Sequence, residues 1–265
     1  MYFFERHKGP AEGYCRICGN FSKLTSDHVP PKSCSNLGVY IIKDWANTAR
    51  HLKTQNGISF RTICAKCNNE GLGSLDPELA KFSDHVKKFL KSRASGINFP
   101  QGYKIFVSCK TIVRCVAGHI LAAHDGTEKL SERLHHADFP YLSDLHRLYE
   151  GQNLSHYTIG AWIHNFPTVN IYPSAGISTP FSKAPPSMFS LLSFFPLGFM
   201  IIHRRYQPRN IPFHRLRTDQ DSIEIDLMSL TKHSPRYPLD NLRTEMVIFD
   251  SGHIYTAEKW PKVYF

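Results

Sequence analysis

Two cysteine pairs are the first residues in this chain whose types and spacing suggest chemistry. Cys15 and Cys18 bracket one two-residue spacer, Cys64 and Cys67 another. Such a spacer lets both thiolates of a turn reach one ion at about 2.3 Å, and two such pairs complete a tetrahedral zinc site. Residues 19 to 63 separate the pairs, more chain than a zinc ribbon needs, so the gap is expected to hold folded structure. It contains Ser26-Asp27-His28, followed by Val29-Pro30-Pro31-Lys32, and Asn68-Asn69 stand directly after the second pair. A histidine titrating near neutral pH can take a proton from water. A carboxylate and an amide oxygen are hard donors that suit Mg²⁺. Neighbours on a strand point to opposite faces, so Asp27 and His28 can share a site only if the backbone bends there. Pro30 and Pro31 favour such a bend, since each fixes its own φ and keeps the preceding residue out of helix.

The order CxxC, Asp-His-x-x-Pro, CxxC-Asn resembles the HNH (ββα-metal) endonucleases that carry a structural zinc, in the variant whose last motif residue is Asn. The run Asp27 to Lys32 is similar to a subgroup found as nuclease heads of anti-phage defence effectors. The resemblance covers roughly residues 10 to 75. It implies hydrolysis of DNA phosphodiesters, with His28 as general base and Asp27 and Asn68 as ligands of Mg²⁺ or a similar divalent ion. Asn69 is the fallback for Asn68. It also implies structural zinc on Cys15, Cys18, Cys64 and Cys67, and products with 5′-phosphate and 3′-hydroxyl ends. Lys32 and Arg61 are candidate phosphate contacts. HNH enzymes often carry a middle Asn that props the catalytic histidine; that place is Ser59 here, with Asn56 a weak substitute, and a backbone carbonyl could do the same work. The alternative is a zinc-clamped nucleic-acid-binding module without catalysis, which needs none of Asp27, His28 and Asn68.

The formal net charge is +10 over 265 residues, with a pI near 9.3, which favours a polyanionic partner. Residues 1 to 99 hold 15 Lys and Arg against 8 Asp and Glu, the remainder 17 against 14, so the excess is concentrated where the motifs lie. DNA is the expected partner, with RNA left open. Cys34, Cys109 and Cys115 fit no pairing rule, and an odd total of 7 cysteines points to a reducing compartment. The N-terminus does not read as a signal peptide. The most apolar run, Met188 to Ile202, is broken by Pro196 and Gly198 and is shorter than the roughly 20 residues a spanning helix needs. A soluble, cytoplasmic protein follows.

The predicted fold class is α+β: a zinc-clamped ββα-metal domain over residues 1–95, then an α+β domain over 100–265 with helices followed by an antiparallel sheet. In the first, Phe21 to Thr25 and Ile58 to Ile63 read as strands, Val39 to Ile42 as another, and Asp44 to Leu52 as a short helix. A helix carries Asn68 and stops at Gly71 and Gly73; a new one starts at Asp76-Pro77. Ser95 to Gly102 reads as a boundary. Beyond it, helices are expected over Ser108 to His124 and Phe139 to Leu148. Strands are expected at Tyr157 to Ile163, Thr168 to Tyr172, Ser190 to Phe194, Gly198 to Ile202 and Ser222 to Leu227. Basic residues interleaved with aromatics, Arg204, Arg205, Tyr206, Arg209, Phe213, Arg215 and Arg217, suit a grip on a nucleic-acid backbone or equally flank two strands on an exposed sheet face. His135-His136 are poorly placed to chelate. The second domain is expected to select targets, to form a homodimer, or to receive an activating ligand or protein partner.

Overall fold

A computed structural model describes residues 9–44, 51–124, 129, 139–178, 187–204, 213–231, 247–250 and 255–260. Strands β1 (Glu12–Tyr14) and β2 (Phe21–His28) flank the first cysteine pair. β3 (Val39–Asp44) and β4 (His51–Thr54) pair with each other, and β5 (Ser59–Cys64) returns to pair antiparallel with β2. The result is a three-stranded sheet in the order β1-β2-β5. The helix expected over Asp44 to Leu52 is absent at both described ends. Asp44 closes β3 and His51 opens β4 instead, because β3 finds its other partner in β14 (Tyr255–Trp260), far along the chain.

After β5 the chain turns into a helix that does not stop at the glycines. A π-helical turn, Cys67–Leu72, runs straight into α1 (Gly73–Ala94), with Pro77 inside it. Leu72, Leu75, Leu79, Phe82, Val86 and Phe89 are buried along one stripe. That continuous apolar face outweighs the roughly 1 kcal/mol a glycine costs in a helix. The π turn absorbs the local misfit, with the Gly73 N–H reaching back to the Asn68 carbonyl.

β6 (Lys104–Val107) follows, then α2 (Cys109–Ala123) and α3 (Phe139–Tyr149). From Cys115 to Ala123, a stretch whose one polar side chain is His119, helix α2 is buried on every side, as a helix apolar all round must be. It packs on α1, α3, β2 and β5, and also on two strands of the large sheet, β8 (Thr168–Ser178) and β9 (Ser187–Phe194). Together with β7 (Tyr157–Ile163), β10 (Leu197–His203), β11 (His214–Leu216) and β13 (Val247–Asp250), these complete a nine-stranded antiparallel sheet. Its main path is β11-β7-β10-β9-β8-β14-β3-β4, with β13 on β8. β12 (Ile223–Asp226) pairs with β6.

The β3–β4 hairpin therefore lies in the same sheet as the C-terminal strands, and one apolar cluster runs from Leu24, Phe60 and Ile63 through α1 and α2 to Phe199 and Ile201. No helix among the described residues is long and apolar enough to cross a membrane.

Candidate active site

The four motif cysteines come together. Cys15 and Cys18 lie on the knuckle between β1 and β2, where Gly19 takes a φ of +71° that closes the turn at little steric cost. Cys64 ends β5 and Cys67 opens the π turn. All four sulfurs lie within 4.8 Å of one another, and those of Cys18 and Cys64 are 3.9 Å apart. A tetrahedron with 2.3 Å arms has edges of about 3.8 Å. The backbone N–H of Cys64 donates to Cys15 Sγ at 3.3 Å, and that of Cys67 to Cys64 Sγ at 3.5 Å. The cluster can bind a metal ion such as zinc. An ion there would pin together the knuckle, the end of β5 and the start of the helix.

β2 runs straight through Asp27 to His28, and no bend intervenes. A bulge in the β2–β5 ladder at Thr25/Ser26 resets the register, which re-aims the residues beyond it. Asp27, opposite Phe60, is buried; His28, opposite Ser59, is half-buried. The two side chains therefore leave the strand on opposite faces. They remain close enough for the Asp27 charge to act on the His28 ring.

His28 Nε2 lies 2.9 Å from the backbone carbonyl of Asn56. A carbonyl only accepts, so Nε2 carries the proton and Nδ1 keeps the lone pair. Burial pulls the His28 pKa below its ordinary 6.5, and Lys32 adds to this, against the opposing pull of Asn56 and Asp27. The ring is neutral at pH 7.

The segment that bears this carbonyl is held by a residue with no motif around it. Asn36 is fully buried; its Nδ2 donates to the carbonyls of Pro30 at 2.6 Å and Ile58 at 2.9 Å. Its Oδ1 accepts from the Ile58 N–H at 2.9 Å. Gly57, at φ +77° and with the Asn36 carbonyl where a Cβ would sit, permits this close approach. Asn36 thus staples the segment that bears the Asn56 carbonyl to the exit of β2.

Asp27 faces inward. Its Oδ2 is 3.0 Å from Nδ1 of His119 on α2, and His119 Nε2 is 2.8 Å from Oδ1 of Asp76 on α1. Burial alone would lower the His119 pKa, but Asp27, with Asp76, raises it well above 6.5. Cys115, one turn earlier on α2, donates to the same Asp76 oxygen at 3.5 Å, and burial raises its own thiol pKa to about 11. Among the described residues, Asp27 Oδ1 receives no hydrogen bond.

Asn68 sits on the π turn with Nδ2 donating to Thr25 Oγ1 at 3.1 Å and to the Ser26 carbonyl at 3.2 Å. With the nitrogen committed to β2, the amide oxygen is the atom left for a ligand. Asn69 is exposed.

Lys32 is exposed beside His28, and Arg61, opposite Ser26, lies on the face that His28 shares. Arg204 is exposed at the end of β10. Together with Arg215 and Arg217 it lines a cleft of about 450 Å³ next to β7 and β11, where Arg217 forks onto Asp219 at 3.1 and 2.8 Å. Arg205, Tyr206, Arg209, His135 and His136 lie outside the described residues.

His119, Asp76 and Asn36 did not emerge from the sequence as site residues. The one sequence signal for His119 is a polar ring within the otherwise apolar run Cys115 to Ala123. Asp76 was read as a helix cap, which the continuous helix leaves it no chance to be. Asn36 sits in a stretch without periodicity. No protein-family model matches the chain, and neither a curated protein nor a solved structure is similar to it.

Proposed function

We propose that the protein is a metal-dependent endonuclease of the HNH type, which hydrolyses phosphodiester bonds in DNA. The observation that supports this most is the state of His28. Its Nε2–H is spent on the Asn56 carbonyl and its ring is neutral at pH 7, so Nδ1 can accept a proton from an attacking water. The backbone carbonyl does the propping work that a middle Asn side chain does elsewhere in that family.

Asp27 Oδ1 and the Asn68 amide oxygen would hold Mg²⁺ or a similar ion. The donor set suits it: two hard oxygens, one anionic and one neutral, leaving room for waters and phosphate. Such an ion polarises the phosphate and offsets charge on the leaving 3′ oxygen. The scissile phosphate would lie across the end of β2, between the inward Asp27 and the outward His28. Lys32 and Arg61 would contact neighbouring phosphates, and Arg204 a more distant one. Zinc on the four cysteines would serve the frame rather than the reaction.

A second reading, a zinc-clamped nucleic-acid-binding module without catalysis, is favoured by the arginine-lined cleft beside β11. Supercoiled plasmid distinguishes the two. The zinc-loaded protein is expected to nick or linearise it with Mg²⁺ and to leave it intact in EDTA. A mobility shift without any Mg²⁺-dependent change of form would favour the binding module.

A further inference from the structure

We propose that His119 is a positioning residue for Asp27, and that α2, which lies beyond the motif region, thereby completes the nuclease centre. The inference rests on the nuclease reading above. A lone aspartate at the end of a strand can rotate about two bonds. Asp27 Oδ2 is tied at 3.0 Å to a ring that is itself fully buried and tied at 2.8 Å to Asp76. With both ring nitrogens on carboxylate oxygens, the imidazole cannot turn without breaking one bond, and the Asp27 carboxylate cannot turn without breaking the other. Oδ1 is the oxygen left outside this bridge. Carboxylates that ligate metals are commonly held this way, and loss of the holding group costs 10- to 100-fold in metal affinity.

The helix that supplies His119 is itself located against the site. Thr62, the residue passed over at the β2–β5 bulge, donates its hydroxyl to the Ala122 carbonyl. Gly118 lies so close to Leu72 and Tyr149 that a Cβ there would come within 2.3 Å of the leucine. Both contacts set the depth and rotation of α2 at the turn that carries His119. On this account, residues 1–95 hold the ligands and the base but lack the group that aims Asp27.

The ligand atoms of Asp76, Cys115 and His119 also lie within 4.8 Å of one another, which resembles a second metal site. The hydrogen-bond reading is preferred because Asp76 Oδ1 already receives both Nε2–H and the thiol, and the other nitrogen is taken by Asp27.

The test uses the zinc-loaded full chain and Mn²⁺ as probe, with free Mn²⁺ followed by electron paramagnetic resonance. Asp27→Ala is expected to abolish tight binding. His119→Gln is expected to raise the Mn²⁺ Kd by about 10- to 100-fold, with zinc content kept and cleavage recovering towards wild type at saturating Mn²⁺. If His119→Gln does not fold, Asp76→Asn, which still offers an oxygen to Nε2–H, takes its place, with a several-fold rise expected. Equal Mn²⁺ affinity in wild type and in the folded variant, alongside loss in Asp27→Ala, would overturn the role of His119 and leave the nuclease reading standing. Failure of wild type to bind Mn²⁺ at all would overturn the nuclease reading itself. A second tightly held transition metal per chain, lost in Cys115→Ser, would overturn the positioning role in favour of a metal site.

Discussion

The small sheet β1-β2-β5 keeps one face open around His28, with Ser26, His28, Ser59 and Arg61 exposed or half-buried, whereas β7 and the first six residues of β10 are buried on both faces. On the large sheet, Phe199 and Ile201 look to one side, into the cluster that includes α2, and Met200 and Ile202 to the other, against Trp162. Order there comes from apolar area, at about 25 cal/mol per Å² removed from water. The small sheet has only one face to bury and places Asp27 on it. It relies on directional ties instead: four sulfurs, the Asn36 staple and the His119 bridge. On the nuclease reading proposed above, the face that carries His28 must stay open, so this sheet cannot also be held by burial on both sides.

If that contrast is right, metal removal should separate the regions. Chelation of the ion on the four cysteines is expected to abolish activity and to melt the β1–β2 knuckle, while the fluorescence of Trp162, fully buried in the large sheet, stays that of the folded state. Loss of both signals in one transition would remove the distinction. In the opposite direction, Phe199→Ala should cost about 3–5 kcal/mol in denaturant unfolding and leave the zinc content unchanged.

Asn36→Ala probes the ties directly. It strands buried partners at Pro30 and Ile58, at a cost of about 2–4 kcal/mol. It also frees the carbonyl that holds His28, so kcat is expected to fall by about 10- to 100-fold in protein that is still folded. Unchanged kcat would show that the Asn56 carbonyl needs no staple.

The motif residues were legible because their chemistry is local. Cys15 with Cys18 and Cys64 with Cys67 are paired by spacing alone, and the strand over Tyr157 to Ile163 shows as a short apolar run between turns. What was not legible depends on partners far along the chain. His119 meets Asp27 across 92 residues. β3 is matched by β14, near the other end of the chain, so both described ends of the helix expected over Asp44 to Leu52 are strand instead. Gly71 and Gly73 read as a stop because local propensity does not register the buried stripe from Leu72 to Phe89. The bend expected between Asp27 and His28 is replaced by a bulge two residues earlier, at Thr25/Ser26, a feature of pairing register rather than of composition.

The smallest expected effect concerns pH. His28 must be neutral to accept a proton, so the cleavage rate should rise with pH through a pKa below 6.5. Burial is the main cause of that depression and Lys32 the lesser one. Lys32→Ala should therefore move the limb slightly to higher pH. A limb centred above 6.5 in the wild type would contradict the assignment of the base.

Single-turnover cleavage of an end-labelled duplex by zinc-loaded wild type and His28→Ala, at saturating Mg²⁺, tests the central claim most directly. The account predicts 5′-phosphate and 3′-hydroxyl products from the wild type, and a rate about 10²- to 10⁴-fold lower in the variant with duplex affinity retained. Equal rates in the two proteins, or no cleavage by a wild type that binds the duplex, would contradict it.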